Sequence, residues 1–467
     1  MRRLWNACRI ELLGTLGPLM SGTGRQGYAN AIYGVADYLA LPICMLLAAP
    51  FLLRHLGAAQ YGVWILASAA VSSGGIISGS FGDAVIKYVG ECRGRQDRAG
   101  VVRIVSSMIS INMVLSGVLA VALWYLAPYM TRHIVKVDPA LQMACLKALR
   151  IGSGLLLVKS IESVFISTLR AFETYGATVR ISICSRVVVM GSAIVLAGYG
   201  RNVVWIMVAT LLISTAGMLA QALALQYKIG SFTPTPAWHA RTVSDIASFG
   251  TFSWLQAIGG VVFSQVDRFF VGFFMGAPAV AYYGLCVQAA QPIHGLIASG
   301  MHFLFPHLSA RYSFAPISEI RRKVALAIKV NVLLVCTLSL PVIVFGRHIL
   351  AVWLGAAFDR QPPFMFPVIV CGFALLGMNI TAHYALLAVG EVRVVTYLNL
   401  FAGTVMLIVM ALLLPRHGLQ GAALARLAYG PITCLAYFQL YRVIWRSESS
   451  SLLPQPSIYE IATTSSE

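Results

Sequence analysis

Twelve stretches of this chain run for about 20 residues with few charges, the length that carries an α-helix across a bilayer core. They fall at residues 31–53, 62–82, 104–127, 149–168, 181–199, 203–225, 249–266, 281–305, 324–345, 365–389, 394–414 and 419–441. The chain of 467 residues is 58% hydrophobic and 11% charged, with a mean hydropathy of +0.79. A soluble domain carries about a quarter charged residues and cannot bury so much apolar surface. The sequence therefore predicts an all-α integral membrane protein with about 12 transmembrane helices. Several spans are rich in small residues, as in ILASAAVSSGGIISGS (65–80). Such segments suit close helix packing inside a bundle.

The net charge of +18 raises nucleic acid as a partner. In a membrane chain it reflects loops that face anionic lipid, and no nucleic-acid partner is expected. With the first residues on one side, twenty Lys and Arg flank the spans there, and nine lie opposite. That asymmetry predicts both termini in the cytoplasm. The first thirty residues lack a signal-peptide pattern and are expected to form a cytoplasmic arm. The nine Cys are odd in number, scattered and without a C-x-x-C pair, so they read as small buried hydrophobes.

A weak echo runs through the two halves. TRHIVKV (131–137) and GRHILAV (346–352) follow apolar runs at an offset of 215, Gly57 and Gly276 stand 219 apart, and the pairs Glu173/Glu391 and Gly200/Gly418 both stand 218 apart. A nearly constant offset points to an ancient duplication of six spans. An even number of spans keeps both copies in one orientation, related by an axis along the membrane normal. The expected organisation is an arm (1–30), a six-helix lobe (31–226), a cytoplasmic linker (227–248), a second six-helix lobe (249–441) and a cytoplasmic tail (442–467).

LGAAQYGVWILA (56–67), FGDAVIKYVGE (81–91), the long segment from VDRFFVG to LSARY (266–312), ILAVWLGAAF (349–358) and PRHGLQGAALA (415–425) together resemble the polysaccharide-transporter family. That family holds bacterial flippases for O-antigen and exopolysaccharide units, in a superfamily that also contains multidrug extruders. The resemblance covers residues 31–441 and marks the fold better than the substrate. It implies a MATE-like pair of pseudo-symmetric lobes around a cavity that opens to alternate sides. It further implies a lipid-linked oligosaccharide as substrate, the bacterial inner membrane as location, and a polysaccharide polymerase and glycosyltransferases as neighbours.

Charges inside the spans are costly, about 2.5–3.5 kcal/mol each at a helix centre on insertion scales, so each demands a reason. Lys159 and Glu162 share a helical face at i, i+3 in GLLLVKSIESVFISTL (154–169). Either they form an internal ion pair, or Lys159 meets an anionic substrate while Glu162 exchanges a proton. Arg186 is shallow enough to snorkel to the headgroups or to face a cavity. Arg426, deeper in GAALARLAYG, is expected at a cavity. Asp37 in YGVADYLALP suits a proton-coupling carboxylate or a partner for a neighbouring helix. Asp83 with Lys87, and Asp267 with Arg268, read as anchoring charges at helix ends. His294 and His383 read as core residues.

The candidate site is thus a cationic cavity of Lys159, Arg186 and Arg426, with Asp37 and Glu162 as ion-coupling groups. No nucleotide-binding loop, zinc motif or nucleophile elbow occurs, so no cofactor and no catalytic residue is expected. The cations outnumber the carboxylates, which favours an anionic lipid-linked sugar over the cations exported by multidrug antiporters. A glycosyltransferase or polymerase is disfavoured, because the loop RHLGAAQ (54–60) holds no carboxylate and the longest outer loop, about 128–148, is small.

Overall fold

The computed structural model describes residues 24–446 except 80, 135–136, 173, 231–234, 241, 244–253, 256, 302–303, 306–307 and 309–315. Most of the expected arm and tail, much of the linker, and Glu173 lie outside the described residues, as does the side chain of Asp83. The described secondary structure is helical, with no strand among those residues.

The first half contains α1 (Gly24–Gly79), α2 (Gly82–Gly94), α3 (Arg98–Tyr129), α4 (Pro139–Ala171), α5 (Tyr175–Gly198) and α6 (Val203–Ile229). The second contains α7 (Asp267–Met275), α8 (Ala277–Met301), α9 (Ile317–Leu354), α10 (Met365–Ala388), α11 (Val392–Leu427), α12 (Tyr429–Cys434) and α13 (Ala436–Trp445). Nine stretches among the described residues are long and apolar enough to cross a membrane. One of them, Leu39–Ser78, would reach about 60 Å at 1.5 Å per residue, twice the hydrocarbon core. It is broken at Gly57, and Val392–Trp445 is broken in the same way at Gly418. Dividing these two and adding the 25-residue α8 gives twelve helices of spanning length, the number expected.

The breaks follow the duplication. Gly57 has φ 76° and ψ 159°, and Gly276, between α7 and α8, has φ 83° and ψ 176°. This left-handed, extended conformation is nearly closed to residues with a Cβ, so the two equivalent turns share both residue and geometry. Gly200 and Gly418 likewise share a positive φ, 69° and 58°.

The halves meet chiefly through α1 and α8. The approach is close because Gly62 has no side chain: a Cβ there would lie 1.8 Å from the backbone oxygen of Ala277. Tyr61, Ile65, Leu66, Val280, Ala281 and Tyr283 are almost fully buried around this contact. Outward faces of α3, α6 and α9 carry exposed Val118, Tyr125, Leu223, Leu333 and Val344, as lipid-facing helices should.

The segment between the halves docks on the first of them. The backbone N–H of Ala237 donates to Ser106 O (3.3 Å), and Ser110 Oγ donates to Ala237 O (3.0 Å). His239 Nδ1 lies 3.1 Å from Ser107 Oγ. These contacts place linker residues along α3.

Candidate functional site

Each half holds a cluster of charge within its helices. In the first, Asp37 on α1 joins two guanidinium groups. Arg170 Nη2, at the end of α4, donates to Asp37 Oδ2 at 3.0 Å, and Arg186 Nη1, on α5, donates to Oδ1 at 2.7 Å. Arg186 also donates to the backbone oxygen of Asp37 at 2.5 Å. Three helices are thereby tied at one point, with one more positive charge than negative.

Of the two parts expected for Asp37, the structure shows the partner for neighbouring helices, held from two sides. Arg186 is paired with it, and its side chain keeps 30% exposure. Arg170, at the end of α4, completes the set.

Lys159 and Glu162 pair as their spacing suggested, with Nζ to Oε2 at 2.7 Å. The pair is asymmetric. The Glu162 side chain is 4% exposed, and that of Lys159 is 38% exposed. Glu162 faces the junction of α5 and α6, where a Cβ built on Gly217 would meet Ser185 Oγ at 2.5 Å and Glu162 Oε1 at 3.7 Å. The carboxylate is thus enclosed in the bundle, while the Lys159 side chain is partly exposed. Nearby, Ser160 Oγ donates to Asn112 Oδ1 at 3.0 Å, fixing this part of α4 against α3.

The second cluster is drier. Arg426 pairs with Asp267, and their side chains are 1% and 0% exposed. Tyr283 donates its hydroxyl to Asp267 Oδ2 at 2.8 Å, and the Arg268 backbone N–H donates to Oδ1 at 2.8 Å. The Arg268 side chain turns to Gln265 Oε1, also at 2.8 Å. Arg426 sits in the corner of Phe263 and Phe373, two rings that meet edge to face, with its guanidinium carbon 4.2 and 4.6 Å from their centroids. Such burial is tolerable only when the charges are paired and hydrogen-bonded. Arg426 therefore does not line an open cavity in this conformation, contrary to expectation, because Asp267 and two rings enclose it. Asp267 and Arg268 open α7, the helix-end position expected, and both are buried there.

Arg150 is a further charge that the sequence reading passed over. It stacks over Trp124 at 4.9 Å, and its Nε has no acceptor among the described residues. His383 lies edge-on to Tyr384, with centroids 5.4 Å apart, in keeping with a core position. Among the described residues no group of His, Cys, Asp and Glu could hold a metal ion.

The family profile described as "Polysaccharide biosynthesis protein" matches residues 52–362, well over half the chain. Two relatives point the same way. The uncharacterized membrane protein EpsK of Bacillus subtilis (strain 168) is 21% identical over 388 residues, 80% of this chain and 75% of EpsK. A putative O-antigen transporter of Shigella flexneri is 24% identical over 189 residues, 40% of this chain and 44% of that protein. Among solved structures, the lipid II flippase MurJ in an inward closed conformation superposes with a TM-score of 0.72 at 13% identity, covering 88% of this chain and 87% of MurJ. An inward-facing MATE-family multidrug transporter of the MOP superfamily gives 0.70 at 15% identity, covering 89% and 99%. At these identities the two structures establish the fold, which is the MATE-like arrangement expected.

Proposed function

Since the chain belongs to the polysaccharide biosynthesis protein family and has the fold of a MOP-superfamily transporter, we propose that it flips a lipid-linked oligosaccharide across the bacterial inner membrane. The cargo we assign is a sugar unit on undecaprenyl pyrophosphate, destined for O-antigen or exopolysaccharide. The sugars and diphosphate cannot cross hydrocarbon unaided, whereas the polyprenyl tail never has to leave it. A path between two lobes, open sideways to lipid, answers both demands.

The observation that supports this reading is the sign of the charge gathered within the helices. Among the described residues, Lys159, Arg170, Arg186, Arg268 and Arg426 cluster around Asp37, Glu162 and Asp267, five cations to three carboxylates, while the fully buried charges alone are balanced. An exporter of cationic drugs needs the opposite excess. Lys159 is the substrate contact we favour, because its side chain is partly exposed while Glu162 stays enclosed. Guanidinium groups suit phosphate better still, and Arg186 and Arg426 would serve once rocking of the lobes loosens Asp37 and Asp267.

Alternating access follows from the contact of α1 with α8. With both termini in the cytoplasm, Gly57 and Gly276 lie at the outer face, so the Gly62–Ala277 contact closes that side. Rocking one lobe against the other would part it and expose the headgroup outward. Work against a gradient would draw on an ion, with Glu162 the candidate we favour for coupling. The deciding experiment is deletion followed by location of the lipid-linked sugar. Accumulation on the cytoplasmic leaflet is the expected result; unpolymerised units on the outer leaflet would point to a polymerase instead.

A further inference from the structure

A cleft of about 500 Å³ opens between the end of α2 and the junction of α4 with α5, beside the Asp37 cluster, with which it shares Arg170. Its walls are Ile86, Gly90, Arg93 and Gly94 from α2, Arg170 and Ala171 from α4, and Tyr175 from α5. The volume is in the range of small-molecule sites.

The cleft exists because of two glycines. Residues 86, 90 and 94 fall on one helical face at i, i+4 and i+8. A Cβ built at Gly90 or Gly94 would touch nothing within 4 Å. Glycine weakens a helix, so two on one face, with open space before both, leave room for something outside the chain.

The lining chemistry says what it would be. Arg93 Nη1 donates to Ala171 O at 3.0 Å, which holds the guanidinium at the wall. Arg170 gives Nη2 to Asp37, while its Nε is sealed from solvent without an acceptor among the described residues. Tyr175 is the first residue of α5, and Thr174 makes no side-chain cap, its Oγ1 donating instead to Leu169 O at 2.7 Å. Tyr175 therefore brings the positive N-terminal end of α5 to the same wall. Two guanidiniums, an uncapped helix start and an aromatic ring suit a phosphate that sits at the rim of a bilayer.

We propose that this cleft binds the phosphate headgroup of a membrane lipid at the cytoplasmic rim. Its sidedness, and a role in loading the carrier, rest on the flippase reading; the binding itself does not. Two sources share the chemistry: an anionic phospholipid of the bulk membrane, and the polyprenyl phosphate carrier.

The test is native mass spectrometry of the purified full-length protein, titrated with phosphatidylglycerol or with undecaprenyl phosphate. Gly90→Leu would fill the cleft while favouring the helix, and Arg93→Gln would remove one charge. Retention of at least one of the two lipids should weaken at least five-fold in both variants. A larger loss for undecaprenyl phosphate assigns the carrier, and an equal or larger loss for phosphatidylglycerol assigns the bulk lipid. Unchanged retention of both lipids in both variants would overturn the site. A wild-type protein that moves no lipid-linked sugar, yet shows the five-fold loss, would sink the flippase reading and leave the site standing.

Discussion

Arg426 and Asp267, 159 residues apart in the chain, meet in a spot where neither side chain reaches solvent. Removing either partner strands the other charge against Phe263 and Phe373, at a cost of about 3–5 kcal/mol. Arg426→Met and Asp267→Leu should each lower the detergent-solubilised melting temperature and the membrane yield. The double variant should recover at least half of the loss, since apolar replacement of a whole buried pair is often neutral. A double variant as unstable as the worse single one would mean that Tyr283 and Arg268 matter more than the pair.

Lys159 should behave differently. Replacing this partly exposed side chain by Ala should abolish glycan export while membrane insertion persists, with a lowered melting temperature because the enclosed Glu162 carboxylate loses its partner. The combination of Lys159→Ala with Glu162→Gln separates the roles. Normal export by the double variant would reduce the pair to a packing device.

The double clamp on Asp37 carries its own expectation. If it is a strut, Asp37→Asn should destabilise the first half by about 1–3 kcal/mol, the scale of lost charge-assisted hydrogen bonds. Export by the surviving protein should keep the wild-type dependence on an ion gradient. Loss of that dependence in Asp37→Asn, measured with ionophores in cells or vesicles, would give Asp37 the coupling role.

At Gly62, even one methyl group collides with the Ala277 backbone oxygen. Gly62→Val should push the halves apart on that side. A cysteine introduced at Ala281, buried in the contact, should then react with an impermeant maleimide at least several-fold faster in a background lacking the native cysteines. An unchanged rate would show that the contact is not the closed gate.

The helices were legible because the bilayer imposes length and apolarity on each one alone. Gly57, Gly276 and Gly418 were visible as turn residues for the same local reason, and the shared φ of the first two matches the offset seen in the sequence. The Lys159–Glu162 pair was legible too, as i, i+3 neighbours need no tertiary fold. The partners of Asp37, Arg186 and Arg426 were not. Each lies on another helix, and no spacing rule joins residue 37 to 170 and 186, or 267 to 426. Arg170 reads from sequence only as a flanking cation, and Arg150 not at all, because both sit at the margins of the fourth apolar stretch, where a cation is ordinarily a boundary mark.

For two lobes that rock as proposed, the bonds from Ala237 and His239 to α3 make this part of the connection travel with the first body. Extra residues inserted ahead of Thr235 would then add slack that the motion never feels.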